Sequence, residues 1–382
     1  MYKFKQTLKS EQEVRDFVRG LTFYGTGGGG DFDTGVEALM SQLEKGIEIG
    51  WVDPNDIADD VYTICPFLMG SIAPMTDQTR EEMKIYGLDA ETRKYDWKDM
   101  LALAVKRLEK EKGKKVSALV PIELGGGNAG ACIAASAMNG IVTLDGDYTG
   151  RAIPEIQQTT PNIFEKELLP ITTCDAWGNT AVIENAVSWR MAERMGKFIS
   201  AAAYSAAGEA GFWMTGKDTK EVIIAGTMTE CYEVGKFIRE AREAGKDPVL
   251  EITAKLGGWL LNRGTVTKKE WWDKDGYYWG YHTVTGEKDF QDNELKVWFK
   301  KENHVSWKNG DVFITSPDMI IFVDDTTCEP FTNNKIEEGQ KVAVIGLKAR
   351  DVFRLPRGIE VLGPKAFGFD IDYLPIEEFM AR

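Results

Sequence analysis

The stretch VSALVPIELGGGNAGACIAASAMNGIVTLD, residues 116–145, says most about the fold of this chain. VSALVPI (116–122) is a continuous apolar run, the pattern of a strand buried on both faces. ELGGGNAG (123–130) turns the chain, ACIAASAM (131–138) reads as a short helix of small residues, and Asn139-Gly140 ends it. IVTLD (141–145) is a second buried strand. Strand, glycine turn, helix and strand make a βαβ unit, which predicts a parallel sheet with helical cover. Ligands in such sheets bind just beyond the carboxyl ends of the strands. Glu123 and Asp145 close the two strands and stand in that place.

Upstream, Ser10-Glu-Gln-Glu13 reads as a capping box leading a helix with Val14, Phe17, Val18 and Leu21 on one face. GTGGGGDFDTG (25–35) follows, then a second amphipathic pattern at Val36, Leu39, Met40 and Leu43 that stops near Gly46. IEIGWV (47–52) and VYTIC (61–65) look like strands, and Asp96 caps a long helix. The chain changes character after about residue 170. Helical patterns near 180–210 and 229–244 give way to β patterns, with turn signals at Lys274-Asp275-Gly276 and Asn309-Gly310. The expected fold is an α/β N-terminal domain, with a parallel or mixed sheet and helical layers, over 1–170. A mainly β C-terminal domain, barrel or sandwich with some helices, occupies 171–382.

The chain has 382 residues, with 60 acids against 46 bases and a formal charge of -14. That balance argues against a phosphate backbone or an anionic membrane as partner, and a small molecule is the expected ligand. The charged N-terminus lacks the apolar run of a signal peptide, and no stretch approaches ~18 uninterrupted apolar residues. The five cysteines are scattered and odd in number, which disfavours a disulfide framework or zinc ribbon. Cytoplasm is the expected compartment, and self-association into a homo-oligomer is left open. With two histidines only, proton transfer is expected to run through carboxylates, a lysine, a tyrosine or a thiol.

Three segments concentrate chemistry. Residues 25–30 contain a literal GxGxxG, with Asp53 placed as a ribose-binding acid, so a nucleotide-dependent oxidoreductase is one reading. Against it, a helical pattern precedes Gly25, and Asp31 and Asp33 stand where a pyrophosphate needs positive potential. The remaining readings are a tight loop joining two helices, or a backbone nest for an anion or carbonyl. In the second segment Glu123 is a candidate functional acid, Gly126 opens the backbone to a ligand, and Asn128 is either a ligand contact or the helix N-cap. In the third, Asp145, Asp147, Arg151 and Glu155 gather after a buried strand, where two carboxylates can divide acid and base duties or hold a divalent cation. The rival is an acidic turn neutralised by Arg151. Cys65 and Cys132 are candidate nucleophiles, although Cys132 lies in a small-residue stripe that reads more readily as buried core. The aromatics between Trp259 and Tyr281 read as cross-strand pairs, with a sugar platform as the alternative.

Taken in order, GTGGGGD, ELGGGNA and DGDYTGRAIPE resemble the hallmarks of the S-methyl-thiohydantoin desulfurase-like family. The likeness continues through CDAWGN (174–179), QDNEL (291–295), SPDMIIFVD (316–324), EEGQKVAVIGL (337–347) and LGPKAFGFDIDYLPI (362–376). Gly146, Tyr148 and Thr149 depart from the family pattern, and MGSIAPMTDQTREE (69–82) matches it only loosely. The resemblance implies an α/β domain followed by a β-barrel domain whose last segment, about 363–382, packs back near the first. It also implies removal of a methylthio group from a five-membered ring. On that reading Glu123 or Asp145 is the general base, and Asp147 orients it or shares a metal with Asp145. Thr26, Arg151, Glu155 and the amides of Gly27, Gly28, Gly29, Gly126 and Asn128 hold the ring. Cys65 or Cys132 serves a covalent variant. A non-catalytic small-molecule sensor is the rival from another class.

Overall fold

Pro121 has no amide to give to a neighbouring strand, so the apolar run at 116–122 cannot stay in a ladder throughout. A computed structural model, which describes residues 2–70, 75–89, 91–204 and 206–381, shows the consequence. The strand is only Ala118–Leu119, and Glu123 lies four residues past its end in irregular backbone. It is nonetheless central. Ala118–Leu119 lies parallel between Val142–Leu144 and Tyr62–Gly70, and Ile49–Val52 extends the parallel set with Trp51 opposite Thr143. Gln6–Leu8 closes one edge antiparallel. On the other side Ala206–Thr215, Ile171–Asp175 and Thr180–Ile183 follow, all antiparallel, making an eight-stranded mixed sheet. Strands from both sides of residue 170 thus hydrogen-bond in one sheet.

Several expectations are corrected in detail. The helix expected over 131–138 begins at Gly126, and its N-cap is Gly125 rather than Asn128, which sits in the first turn. The helical pattern near 180–210 resolves into the strand Thr180–Ile183, the helix Trp189–Ala202 and the start of Ala206–Thr215. At Ser10 the hydroxyl caps the Glu13 amide as expected, but the Glu13 carboxylate takes the Lys9 amide, one residue outside the box. Of the loosely matching 69–82 segment, residues 71–74 lie outside the described residues, and 77–82 form most of the helix Asp77–Ile85.

The C-terminal part is an antiparallel sheet of seven strands curled into a half-barrel. Across it run Asp311–Thr315, Glu302–Lys308, Glu294–Lys300, Tyr277–Gly286, Trp259–Lys274, Lys341–Leu347 and Met319–Asp324. Both turn signals are tight hairpins, with φ of 55° and 76° at Asp275-Gly276 and 53° and 90° at Asn309-Gly310, the conformation that asparagine, aspartate and glycine tolerate. The aromatics around Trp271 and Tyr278 are cross-strand neighbours, with ring centroids 5.4 Å apart. No helix among the described residues is long and apolar enough to cross a membrane.

Helices Glu11–Tyr24 and Thr227–Glu243 join the two sheets. Phe17 and Leu21 from the first and Met228 and Ile238 from the second share one core with Trp51, Ile321 and Ile345. After the last strand, Phe353 and Leu362 cluster with Ile153, while Ile376 enters the core of the curled sheet.

Two glycine segments meet backbone to backbone. A Cβ on Gly125 would lie 2.4 Å from the Gly29 Cα, and one on Gly35 would lie 2.1 Å from the Gly126 carbonyl oxygen. Helix Phe32–Leu43 and helix Gly126–Asn139 can lie together only because these positions carry no side chain. Gly125 has an extended backbone (φ -175°), so its cost on substitution is purely the contact. Gly125→Ala is expected to destabilise the protein by about 1–3 kcal/mol, the usual penalty for overpacking. A lowered urea midpoint at unchanged denaturant dependence is the readout; an unmoved midpoint would show that the two segments can separate freely.

Candidate functional site

The glycine contact sets one wall of a cleft. Gly29 and Gly30 line it from the first loop, and Glu123 and Asn128 line it from the turn and the first turn of the following helix. Leu68 and Gly70 come from the strand Tyr62–Gly70, and half-buried Trp97 opens the long helix above them. Lys301 closes the cleft from the other sheet. It is the single residue between the strands Glu294–Lys300 and Glu302–Lys308, where Lys300 pairs with Glu302 across it. Its φ of 59° is one that side chains rarely adopt, which is backbone strain held at the tip of a hairpin.

Glu123 is 5% exposed. One oxygen accepts from the Asn128 side-chain amide at 2.8 Å, the other from the Ile153 amide at 2.8 Å. Asn128 in turn accepts from the Leu68 amide at 3.1 Å, which fixes its orientation. Burial pushes the Glu123 carboxyl above the usual carboxylate range, while the Ile153 amide, the charge of Lys301 and the Asn128 amide hold it down. A carboxylate so placed is oriented, partly desolvated and faced by an ammonium, the setting of a general base. The amides of Gly29 and Gly30 meet no acceptor among the described residues, so the backbone wall of the cleft can receive a carbonyl or an anion.

The remaining sequence candidates are placed elsewhere. Asp145 is fully buried and accepts from the Thr229 amide (3.0 Å), the Thr229 hydroxyl and Lys5 (both 2.7 Å). Asp147, also fully buried, accepts from Thr227, Thr149 and the Gly150 amide. All four of their oxygens are taken by the protein, and neither lines the cleft. The two acids do not fit a metal site, and no group of three or more His, Cys, Asp or Glu arranged to hold an ion occurs among the described residues.

Arg151 is 2% exposed and spends its guanidinium on the carbonyls of Ala152, Asn303, Pro317 and Asp318 and on the Thr26 hydroxyl. It ties three segments together, and with Thr26 it stands behind the cleft. Gly27 and Gly28 pack on the hairpin side: a Cβ on Gly28 would lie 1.8 Å from a Glu302 oxygen, and one on Gly27 would meet Asn333. Gly126 is pressed on Thr22 and Asp31. Glu155 lies in a neighbouring chamber, bonded to Lys300 and Gln157. Residues 25–30 join two helices, without the preceding strand that a dinucleotide fingerprint requires, and Asp53 caps a short turn. Cys65 and Cys132 are buried in apolar core, where desolvation raises both thiols. Both histidines are also buried, with burial holding them below the usual imidazole range.

Sequence reading missed Lys301 and the acids behind it. Glu302 is fully buried, neither oxygen has a hydrogen-bond partner among the described residues, and its carboxyl is pushed up to about 8 by burial and by Glu123, against Lys301 and Arg151. Glu209, equally unpartnered, is pushed up to about 8 by burial and by Glu193, and Lys197 is pulled down to about 7 by burial and by Lys301. The signal was present as KKENH (300–304), five polar residues in the middle of an aromatic strand pattern.

A family model described as S-Me-THD-like, N-terminal domain, matches residues 12–185, and its C-terminal counterpart matches residues 187–376. No curated protein matches the chain. A crystal structure of a protein from Chromobacterium violaceum is similar over 97% of this chain and 100% of its own, with a TM-score of 0.74 and 18% identity, which is a likeness of fold.

Two outcomes follow from the burial. A carboxyl that holds its proton more tightly folded than unfolded lends stability below its ordinary 4.5, and that stability is lost as pH rises toward about 8. Glu302→Gln removes the dependence, so the variant should match wild type near pH 4 and exceed it by a few kcal/mol at pH 8.5 in urea titrations. Parallel pH profiles would mean that Glu302 does not titrate in this range. All five cysteines are buried, so native protein should leave Ellman's reagent unreacted until denaturant is added. A fast-reacting thiol would restore the covalent route.

Proposed function

The chain belongs to the S-methyl-thiohydantoin desulfurase-like family, and we propose that it hydrolyses the methylthio group from a small five-membered ring in the Glu123 cleft. The observation that carries this reading is the oriented Glu123 carboxylate facing Lys301 beside the acceptor-free amides of Gly29 and Gly30.

The ring lies against the Trp97 indole, with its carbonyl oxygen on the glycine amides. Glu123 takes a proton from water as the oxygen attacks the ring carbon that bears sulfur. Negative charge develops on the ring and is met by Lys301 and the amides. The carbon–sulfur bond then breaks with its electron pair on sulfur, the leaving methanethiolate is protonated by Lys301 or by the acid form of Glu123, and the proton of the added hydroxyl passes to the ring nitrogen. Water and the methylthio ring become a ring carbonyl and methanethiol, with no redox change.

Glu123→Gln keeps the hydrogen bond from the Ile153 amide but removes the base, so turnover of S-methyl-thiohydantoins should fall by about 10²–10⁴-fold with folding intact. Lys301→Met should lower kcat more than it raises KM. Thiol release from the purified chain is the assay. Near-normal release by Glu123→Gln would remove Glu123 from the reaction, and no release by wild-type protein from any such ring would overturn the assignment.

A further inference from the structure

Beyond the cleft, a narrow cavity of about 20 Å³ shares walls both with it and with a larger chamber of about 550 Å³ between helix Trp189–Ala202 and the hairpin at Asp275-Gly276. The narrow cavity is walled by Glu123 and Lys301 and by Glu155, Glu193 and Lys197, and these last three also line the chamber. The acids of the wall are already committed. Glu155 is bonded to Lys300 and Gln157, and Glu193 accepts from the Tyr277 hydroxyl at 2.7 Å and the Ile156 amide at 2.9 Å. Asp275 lies at the exposed hairpin turn.

The cations opposite are not committed. Arg190 and Arg194 lie one helical turn apart, both exposed and both lining the chamber. Arg194 rests over the Phe198 ring at 4.8 Å, and neither guanidinium pairs with a carboxylate among the described residues. A second feature points to a ligand. Gln157 is 6% exposed and lines the chamber, and its amide oxygen has no donor among the described residues. A buried acceptor without a partner costs about 1–3 kcal/mol, which a ligand N–H would recover.

We infer that the chamber is a specificity subsite for a ring substituent that carries a carboxylate, held by Arg190 and Arg194, with any N–H on that substituent donated to Gln157. The substrate class is then the methylthiohydantoin of an acidic amino acid. The assignment rests on the reading of the Glu123 cleft for where the ring sits. Forked guanidinium–carboxylate bonds give the discrimination, and the Phe198 and Trp279 rings line the same chamber.

Titration calorimetry with two desulfurised rings, hydantoin-5-acetate and 5-methylhydantoin, separates this idea from the reaction itself. Wild-type protein should bind the acetate about tenfold or more tightly than the methyl compound, and added NaCl should narrow the gap. In the double variant Arg190→Ala/Arg194→Ala the preference should collapse to within about twofold. Because both side chains are exposed the variant should fold, and the single variants, each expected to lose part of the preference, serve if it does not. Equal binding of the two rings by wild type, or a preference that survives the double variant, overturns the subsite. Retained preference for the acetate with no thiol release from any methylthio ring would instead sink the desulfurase reading and leave the chamber as a carboxylate site.

Discussion

The contact between the backbones of residues 25–30 and 125–130 is the constraint on which the rest of the site depends. At 2.4 Å from a virtual Cβ to the next main chain, there is no room for any side chain, so glycine is the only residue that allows the approach. The approach places the N-terminus of helix Gly126–Asn139 against the loop, and so brings Glu123 and Asn128 to the same wall as Gly29 and Gly30. The Asn128 amide donates its backbone N–H to the Gly29 carbonyl at 2.9 Å, a direct hydrogen bond across the junction. Structure and site use the same glycines.

Against this wall the curled sheet inserts one hairpin tip. Four consecutive residues each meet a different part of the N-terminal segment. Lys300 bonds Glu155, Lys301 faces Glu123, Glu302 abuts Gly28, and the Asn303 amide donates to the Thr26 carbonyl at 2.9 Å. Arg151 fastens the arrangement from behind by bonding the Asn303 and Pro317 carbonyls. The price is a set of charges taken out of water. Glu302 and Glu209 keep oxygens without partners, and both carboxyls are driven toward the neutral form. Apolar residues would pack there at lower cost, and the acids without partners among the described residues, beside Lys197 and Lys301, fit the proposed site.

The acidic turn at 145–155 teaches a different lesson. Its composition suggested catalysis or a metal, yet Asp145 and Asp147 anchor their loop to Thr227 and Thr229. A carboxylate at the end of a buried strand has the same sequence signature whether it faces a ligand or the next helix. Glu123 has the same composition around it but a different neighbour, because Pro121 releases the backbone from the ladder and leaves that side chain beside an opening. The aromatic pairs and the two hairpin turns were legible because they depend on local rules of period and φ.

By itself the sequence determined the α/β and mainly β fold class and the family, and it singled out the glycine segments, Glu123 and Asn128 as candidates. Periodicity, turn chemistry and ordered motifs are properties of neighbours along the chain. Only the tertiary structure decided that Lys301 completes the cleft, that Arg151 is a strut and that a chamber with free guanidinium groups lies beyond it. These depend on residues far apart in the chain meeting in a water-poor junction, such as Arg151 and Asn303, 152 positions apart, and no pattern along one strand or helix encodes which charges will find partners there.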